Sequence, residues 1–308
     1  MRLADLRDRF VNIWPLSTGR PAVPPPALFE PVAAAVAEPI PTPFAPPVRW
    51  TPSRIAIADE IWGDGFILPG GEEEVLRLAV PLGVSAASSV LLLGAAGGGA
   101  ARAVAGGLGA WISGHEADPA LAALAAARLL RAGKVVAKRA SVALWDPRAT
   151  VFRRHAFSHA LALEALRGAP GHPVPVAELL MAIAGALRSG GQLVMVELVA
   201  TGHLDRSDPM VASWAEVEGR TPDLPTEAGL SSALTQLGFD VRVSEDISKR
   251  HLRLAVQGWK RLVRELSVAR PDHMRAAAVV AEAEVWMRRL KLMHTGQIRL
   301  VRWHAMGR

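Results

Sequence analysis

The amino-acid sequence predicts an open α/β fold, a mostly parallel sheet with helices on both faces. The first observation is the stretch VLLLGAAGGGAARAVA at residues 90–105, which has the pattern of a buried strand, a glycine-rich loop and the first turns of a helix. The second is the alternation of short apolar runs with helical segments along the rest of the chain. Such an alternation is typical of parallel strands joined by crossover helices.

The 308 residues suffice for one large domain with an extension. Residues 1–17 predict a short amphipathic helix, because five apolar residues have helical spacing: Leu3, Leu6, Phe10, Ile13 and Trp14. Two interpretations stay open, a helix that packs on its own domain and a helix that docks on a protein partner or a membrane surface. Residues 18–52 contain eleven prolines and predict an extended spacer. The chain therefore divides into residues 1–52 and a domain at 53–308.

Within that domain, the elements follow from local patterns. Residues 53–80 predict helix, turn and helix, because two pairs of glycines interrupt the helical periodicity. Asp118 and Pro119 supply an N-cap and a first-turn proline to a later helix. The predicted strands are 90–93, 111–116, a weak one at 134–138, 156–163, 192–198, 239–244 and 297–304. The other predicted helices are 100–105, 120–130, 176–187, 227–237, 250–266 and 270–293.

The glycine-rich loop and the end of the second strand form the predicted ligand site. Glycines let the backbone approach a ligand, and the loop lies at the positive end of a helix. Glu116 follows the loop by about twenty residues, at the end of a predicted strand. A carboxylate there can accept hydrogen bonds from both hydroxyls of a ribose. The sequence therefore predicts a nucleotide-like ligand.

The composition excludes several kinds of chemistry. The sequence has no Cys and no Tyr, so thiol nucleophiles, disulfides and catalytic phenols are excluded. The formal net charge of +6 favours anionic partners in general. Nucleic acid is nevertheless not favoured, because no aromatic and basic stacking platform is visible. His155 and His159 lie in a predicted strand without a third ligand, and no HExxH motif occurs, so no metal site is expected.

The order of strand, glycine-rich loop, helix, strand and Glu116 resembles the class I S-adenosylmethionine-dependent methyltransferases. The resemblance covers about residues 55–308 and is closest to the methyltransferase type 11/25 kind, which includes small-molecule N- and C-methyltransferases. It implies a Rossmann-like sheet that closes with an antiparallel C-terminal strand. The further matching segments are WGDGFILPGG (62–71), FSHAL (157–161), LRSGGQL (187–193), GFDVRVSEDIS (238–248) and QGWKRL (257–262).

The sequence also departs from the family pattern. Leu92 stands where the family has an acid before the first glycine, and Ala96 replaces the middle glycine of the loop. Ser158 replaces the acid of the fourth strand, and Ser189 replaces the proline of the turn before the fifth. The acid after the third strand, which normally holds the adenine amino group, would fall at residues 140–141, where this chain has none.

The resemblance implies methyl transfer from S-adenosylmethionine to a small-molecule acceptor. The helices before the first strand close over the ligands in this family, which implies a substrate pocket with Trp62, Asp64 and Phe66. Candidate proton acceptors, near the ends of predicted strands, are His159, Glu164 and Asp246. The residues implied in cofactor binding are Gly94, Ala95, Ala96, Gly97, Gly98, Glu116, Ala117 and Ser141.

Two other functions stay open. A methyltransferase fold without catalysis, acting as a binding or assembly module, would explain Leu92, Ala96 and the missing adenine acid. A nicotinamide-dependent oxidoreductase would use Gly94, Ala96 and Gly99 with Glu116 as a degenerate dinucleotide fingerprint, but the chain has no tyrosine for a proton relay. We expect a cytoplasmic protein, with residues 1–17 as the segment that would bring it to the inner membrane face.

Overall fold

A computed structural model describes residues 49–167 and 174–307. The amphipathic helix predicted at 1–17 and most of the proline-rich spacer lie outside the described residues. Arg49 and Trp50, which we assigned to the spacer, belong to the folded part, since Trp50 is 4% exposed and packs in the hydrophobic core. None of the helices in the described ranges combines the length and apolar character that crossing a bilayer requires.

A sheet of seven strands organises the described chain, in the order β3-β2-β1-β4-β5-β7-β6. Strands β1 to β5 pair in parallel, and β7 runs antiparallel to both β5 and β6. The predicted sheet, mostly parallel with an antiparallel C-terminal strand, is confirmed. The strands are β1 Ser89–Leu93, β2 Trp111–Glu116, β3 Ala140–Leu144, β4 Phe157–Leu163, β5 Leu187–Ala200, β6 Phe239–Asp246 and β7 Ile298–Gly307.

Helices cover both faces of this sheet, because successive residues of a strand point to opposite sides. Val90 and Leu92 of β1 belong to one core, and Leu91 and Leu93 belong to the other. The second core is closed mainly by α6 and α8, and the first by the remaining helices. In chain order the helices are α1 Pro52–Trp62, α2 Gly71–Ala79, α3 Gly99–Gly107, α4 Pro119–Arg131, α5 Lys134–Arg139, α6 Val176–Ala186, α7 Pro209–Glu218, α8 Glu227–Gln236, α9 Ser248–Val268 and α10 His273–His294.

The prediction of a third strand at 134–138 is wrong. These residues form the short helix α5, and the strand follows it as β3. The misleading signal was Val135-Val136, of which the helix buries only Val136. The strand instead buries Ala140 and Val142, the first and third residues of the alternating run ASVAL. The shift moves the end of the third strand to Leu144.

Ala96 and Glu164 have left-handed backbone conformations, with φ of 50° and 48°. Such values are uncommon for residues with a Cβ, because the side chain crowds the following carbonyl group. Ala96 lies in the loop between β1 and α3, and Glu164 follows β4 directly. Both residues therefore carry backbone strain at the carboxyl edge of neighbouring strands.

Glu164 is also the centre of a set of charged side chains that are at most 5% exposed. Its carboxylate accepts hydrogen bonds from Arg220 and from both Nη atoms of Arg289, one of them at 3.2 Å. Because α10 carries Arg289 and β4 ends at Glu164, these contacts hold the C-terminal helices on the sheet. We call this set the buried ion cluster: Glu164, Glu197, Glu218, Arg220 and Arg289.

We expect Ala96→Gly to stabilise the fold slightly, by up to about 1 kcal/mol. The substitution relieves a strain of about 1–2 kcal/mol, and the greater freedom of glycine in the unfolded chain offsets part of the gain. Gly98→Ala should destabilise the fold, because Gly98 has a φ of 92° and an added Cβ would lie 3.2 Å from the Cβ of Ala125. Calorimetric unfolding checks both, and equal melting temperatures for the two variants would contradict the assignment of strain.

Arg289→Met should lower the free energy of unfolding by about 3–5 kcal/mol, because it removes one partner of Glu164 and of Glu218 and leaves three buried carboxylates with one arginine in the cluster. The matched control is Arg206→Met, since Arg206 and its partner Asp223 are 63% and 60% exposed. The control should change stability by less than about 0.5 kcal/mol. Urea unfolding measures both, and similar losses for the two variants would refute a central role for the cluster.

Candidate functional site

A pocket of about 780 Å³, counted with the solvent at its mouth, lies at the carboxyl ends of β1, β2 and β4. The glycine-rich loop and Glu116 form one side, and residues 65–71 between α1 and α2 cover it. Leu163, Glu164 and Ala165 line the pocket at the end of β4. Ligands of open α/β sheets bind in this position, outside the carboxyl ends of parallel strands.

The start of the glycine-rich loop lies directly against β4. Gly94 has a φ of 72°, and a Cβ there would lie 2.1 Å from the carbonyl oxygen of Leu163. The backbone N–H groups of Gly94 and Ala95 donate to the carbonyl of His115, at 3.1 and 3.2 Å. A side chain at position 94 would therefore push the loop off the sheet edge, and only glycine keeps the backbone open to the pocket.

The turn between α1 and α2 packs on the other end of the loop. The N–H of Gly99, at the start of α3, donates to the carbonyl of Gly65 at 3.0 Å. The N–H of Gly65 in turn donates to Asp59 at 2.8 Å. A Cβ on Gly65 would lie 2.8 Å from the carbonyl oxygen of Gly97 and 2.6 Å from the nitrogen of Gly99. Glycines on both sides thus let two backbone segments touch.

Glu116 is 8% exposed and reaches the pocket from the end of β2. Its Oε2 accepts from the N–H of Ala96 at 2.7 Å, and its Oε1 accepts from the N–H of Asp118 at 3.0 Å. Burial raises the pKa of the carboxyl group, and the two N–H donors offset part of that effect. The glutamate therefore joins the glycine-rich loop to the loop after β2.

The structure brings some of the predicted cofactor residues together and not others. Gly94, Ala96, Glu116 and Ala117 line the pocket. Ala95, Gly97 and Gly98 are buried and are absent from its lining. Ser141 is the second residue of β3 and lines a separate groove with Trp111 and Arg139.

Of the three predicted substrate-pocket residues, only Phe66 lines this pocket. Trp62 packs in the core, with its ring centroid 4.7 Å from that of Trp286. Asp64 is 54% exposed and pairs with Arg102 and Arg128. Trp62 and Asp64 line a groove on the outer side of the α1–α2 turn. The turn therefore separates these two residues from the pocket.

The three candidate proton acceptors are far apart. His159 lies early in β4, where it pairs with Val90, and it does not line the pocket. Asp246 ends the edge strand β6, where its side chain accepts from the N–H of Ser248 at 2.9 Å. Only Glu164 lines the pocket.

The surroundings of Glu164 make it a weak base. Burial by itself would raise the pKa of the carboxyl group, but Arg289, Arg167 and Arg220 outweigh it and hold the pKa well below its usual range. The side chain is 1% exposed, and its oxygens already accept from all three guanidinium groups. Glu164 is therefore suited to anchoring arginines and not to accepting a proton.

Sequence reasoning missed several residues at the pocket. Trp145 follows β3 and lines the pocket, and Asp146 comes next in the chain. The signal was the sequence LWDP directly after the alternating run ASVAL. Arg49 and Arg167 also line the pocket, yet no local pattern marks them, because one lies near the end of the proline-rich spacer and the other follows β4.

Comparison with solved structures places the fold among methyltransferases. A phosphoethanolamine N-methyltransferase 2 of Haemonchus contortus, in complex with S-adenosyl-L-methionine, matches 85% of this chain with a TM-score of 0.71 and 19% identity. A geranyl diphosphate C-methyltransferase of Streptomyces coelicolor A3(2), in complex with Mg²⁺, geranyl diphosphate and S-adenosyl-L-homocysteine, matches 84% with a TM-score of 0.59 and 14% identity. The match covers 58% of the Haemonchus chain and 99% of the Streptomyces chain.

A similar structure with another activity is a 4+2 cyclase, SpnF, which matches 83% of this chain and 92% of its own length, with a TM-score of 0.62 and 17% identity. No protein-family model and no curated protein sequence matches the chain. The seven-stranded sheet of this chain, mostly parallel with an antiparallel β7, is consistent with these matches. The chain therefore has the fold of the class I S-adenosylmethionine-dependent methyltransferases.

Proposed function

We propose that this protein transfers a methyl group from S-adenosylmethionine to a small-molecule acceptor. The observation that carries the proposal is the position of Glu116, a buried carboxylate that reaches the pocket at the end of β2. Beside it lies the glycine-rich loop, whose backbone faces the pocket because Gly94 has no side chain. A ribose needs such an acceptor, and a ligand that touches the backbone needs such a loop. The residues at the pocket thus suit this cofactor.

The proposed roles follow from the ends of the strands. Glu116 would accept from the ribose hydroxyls, and Gly94 and Ala96 would contact the cofactor through their backbone. The adenine amino group would bind to Asp146 and not to residues 140–141, because β3 ends at Leu144. The indole of Trp145 lines the pocket beside it, with its Nε1 donating to the hydroxyl of Thr150 at 3.1 Å.

The carboxylates of the pocket favour a methyl acceptor that has a free lone pair, such as a neutral amine, and so does not have to be deprotonated first. S-adenosylmethionine, when bound, supplies a methyl group on a sulfonium for in-line displacement. Each carboxylate in the described lining already has N–H donors: Glu74 pairs with Arg77, Asp118 caps α4, and Glu116 and Glu164 are engaged as above. A neutral amine needs no strong base, so positioning and exclusion of water suffice for its methylation.

Of the two alternative functions, the structure disfavours the oxidoreductase and leaves the non-catalytic module as a candidate. A nicotinamide-dependent oxidoreductase is disfavoured by the antiparallel β7, since the usual dinucleotide-binding sheet is parallel throughout. A non-catalytic module remains the second candidate. It is favoured by the hydrogen bonds that Glu116 and Gly99 already make within the chain, because these groups would otherwise be free for a cofactor.

We expect the full chain to bind S-adenosylmethionine and S-adenosylhomocysteine with micromolar dissociation constants, measured by calorimetric titration, and not to bind NAD. Glu116→Ala should abolish binding of both, because the ribose hydroxyls lose their acceptor. Glu73→Ala, at an exposed position of α2, is the matched control and should bind like the wild type. A folded chain that binds neither compound would support the non-catalytic module.

Asp146→Ala should weaken binding of S-adenosylhomocysteine by roughly tenfold, the loss expected for one hydrogen bond to a charged group. S-inosylhomocysteine, which has a carbonyl in place of the adenine amino group, provides the control ligand. The wild type should bind it less tightly than S-adenosylhomocysteine, whereas Asp146→Ala should no longer distinguish the two. If Asp146→Ala still binds S-adenosylhomocysteine more tightly than S-inosylhomocysteine, the adenine amino group does not bind to Asp146.

Affinity for S-adenosylhomocysteine should fall as the pH is lowered from about 7 to about 5. Protonation of Glu116 removes an acceptor for the ribose, and its raised pKa moves this loss above the usual range for glutamate. Glu116→Gln should bind more weakly and with a flat pH dependence over that range. Calorimetric titrations with S-adenosylhomocysteine at several pH values test this. If the affinity falls equally in the wild type and in Glu116→Gln, a group other than Glu116 causes the pH dependence.

A further inference from the structure

A second and smaller space, of about 310 Å³ counted with the solvent at its mouth, adjoins the pocket and lies under α10; we call it the cavity under α10. Arg49, Trp50, Ile67 and Arg167 line both spaces, so they form the junction between them. On its far side the cavity is lined by residues of α10, among them Trp286. The pocket at the glycine-rich loop and the cavity under α10 are thus neighbouring compartments with two arginines between them.

Each arginine is anchored at one end of its guanidinium group. Arg49 donates through Nη1 to the carbonyl of Glu218 at 2.9 Å, and Arg167 donates through Nη2 to Glu164 at 2.8 Å. The Nε atoms of both are buried and have no acceptor among the described residues. The nearest carboxylate to the Nε of Arg49, that of Asp118, is 4.0 Å away, too far for a hydrogen bond. A buried donor without a partner is costly, so an acceptor is expected here.

The carboxylates around the junction attract the two arginines without reaching their Nε atoms. Asp118 and Glu116 act on Arg49, and Glu164 pairs with Arg167 through Nη2. Burial and repulsion from Arg167 lower the pKa of Arg49 to about 10, whereas the glutamates raise the pKa of Arg289 despite burial. Arg49 is thus cationic at neutral pH, and its Nε is in a long ion pair with Asp118 and has no hydrogen-bond acceptor among the described residues.

We propose that Arg49 and Arg167, at the junction of the pocket and the cavity under α10, bind an anionic group on the methyl acceptor, a carboxylate or a phosphate. Two guanidinium groups with unused N–H donors suit the planar or tetrahedral oxygens of such a group. The inference rests on the proposed function, because it takes the glycine-rich loop as the site of the cofactor. It adds the substrate class, which is anionic small molecules.

The experiment uses inorganic phosphate as the probe, titrated calorimetrically into the full chain in a cationic buffer. One titration uses the chain alone and the other uses the chain saturated with S-adenosylhomocysteine. We expect phosphate to bind in both cases and to leave the affinity for S-adenosylhomocysteine unchanged. Arg49→Gln and Arg167→Gln should each weaken phosphate binding about tenfold or more. Arg206→Gln, at an exposed pair, is the control and should bind phosphate like the wild type.

Three outcomes would overturn the proposal. Phosphate that competes with S-adenosylhomocysteine, together with weaker S-adenosylhomocysteine binding by the two variants, would assign the arginines to the carboxylate of the cofactor. Phosphate binding that the variants retain, or no phosphate binding, would remove the anion site. If Arg49→Gln does not fold, Arg167→Gln decides alone. If S-adenosylhomocysteine does not bind, the proposed function fails, while the titration of the chain alone still tests the arginines.

Discussion

The contact between the Glu164 carboxylate and three guanidinium groups is the interaction that holds together the carboxyl edge of the sheet, where the pocket lies. Glu164 ends β4, Arg289 comes from α10, and Arg220 follows α7, so one carboxylate joins the sheet to two distant parts of the chain. Charges buried this deeply are tolerated only as a complete set, because each ion relies on the others to replace its lost hydration. Glu218 and Arg289 of this set also line the cavity under α10, and Glu164 lines the pocket, so the stability of the cluster and the shape of the site depend on the same side chains.

Sequence reasoning succeeded where a signal was local. The loop from Gly94 to Gly99 and the strand that ends at Glu116 were predictable, because glycines and apolar runs act on neighbouring residues. The third strand was misplaced because two adjacent valines in a short helix imitate a strand. The buried ion cluster could not be predicted, since its arginines are separated by up to 125 residues from the carboxylates that they contact. Arginines in a sequence are expected at the surface unless a partner is known.

Two of the departures from the family pattern have a structural account. The missing acid after the third strand was an error of register, because β3 ends six residues after 138 and Asp146 follows it. Ala96 keeps the left-handed conformation that a glycine would adopt, with a φ of 50°, and its N–H is fixed by Glu116. The loop has thus preserved its shape while gaining a methyl group that lines the pocket. Nothing in the structure explains Leu92, beyond its burial in the core.

The hydrogen bond from Gly99 to Gly65 couples access to the pocket with a local opening of the chain. The first N–H of α3 is directed at the carbonyl of the α1–α2 turn, and Asp59 and Arg128 hold that turn from behind. A ligand that requires this N–H can bind only molecules in which the hydrogen bond to Gly65 is broken. Its observed association constant is then its intrinsic association constant multiplied by the fraction of such molecules. Gly65, Gly99, Asp59 and Arg128 would thus lower the observed affinity for such a ligand, although only Gly65 among them lines the pocket.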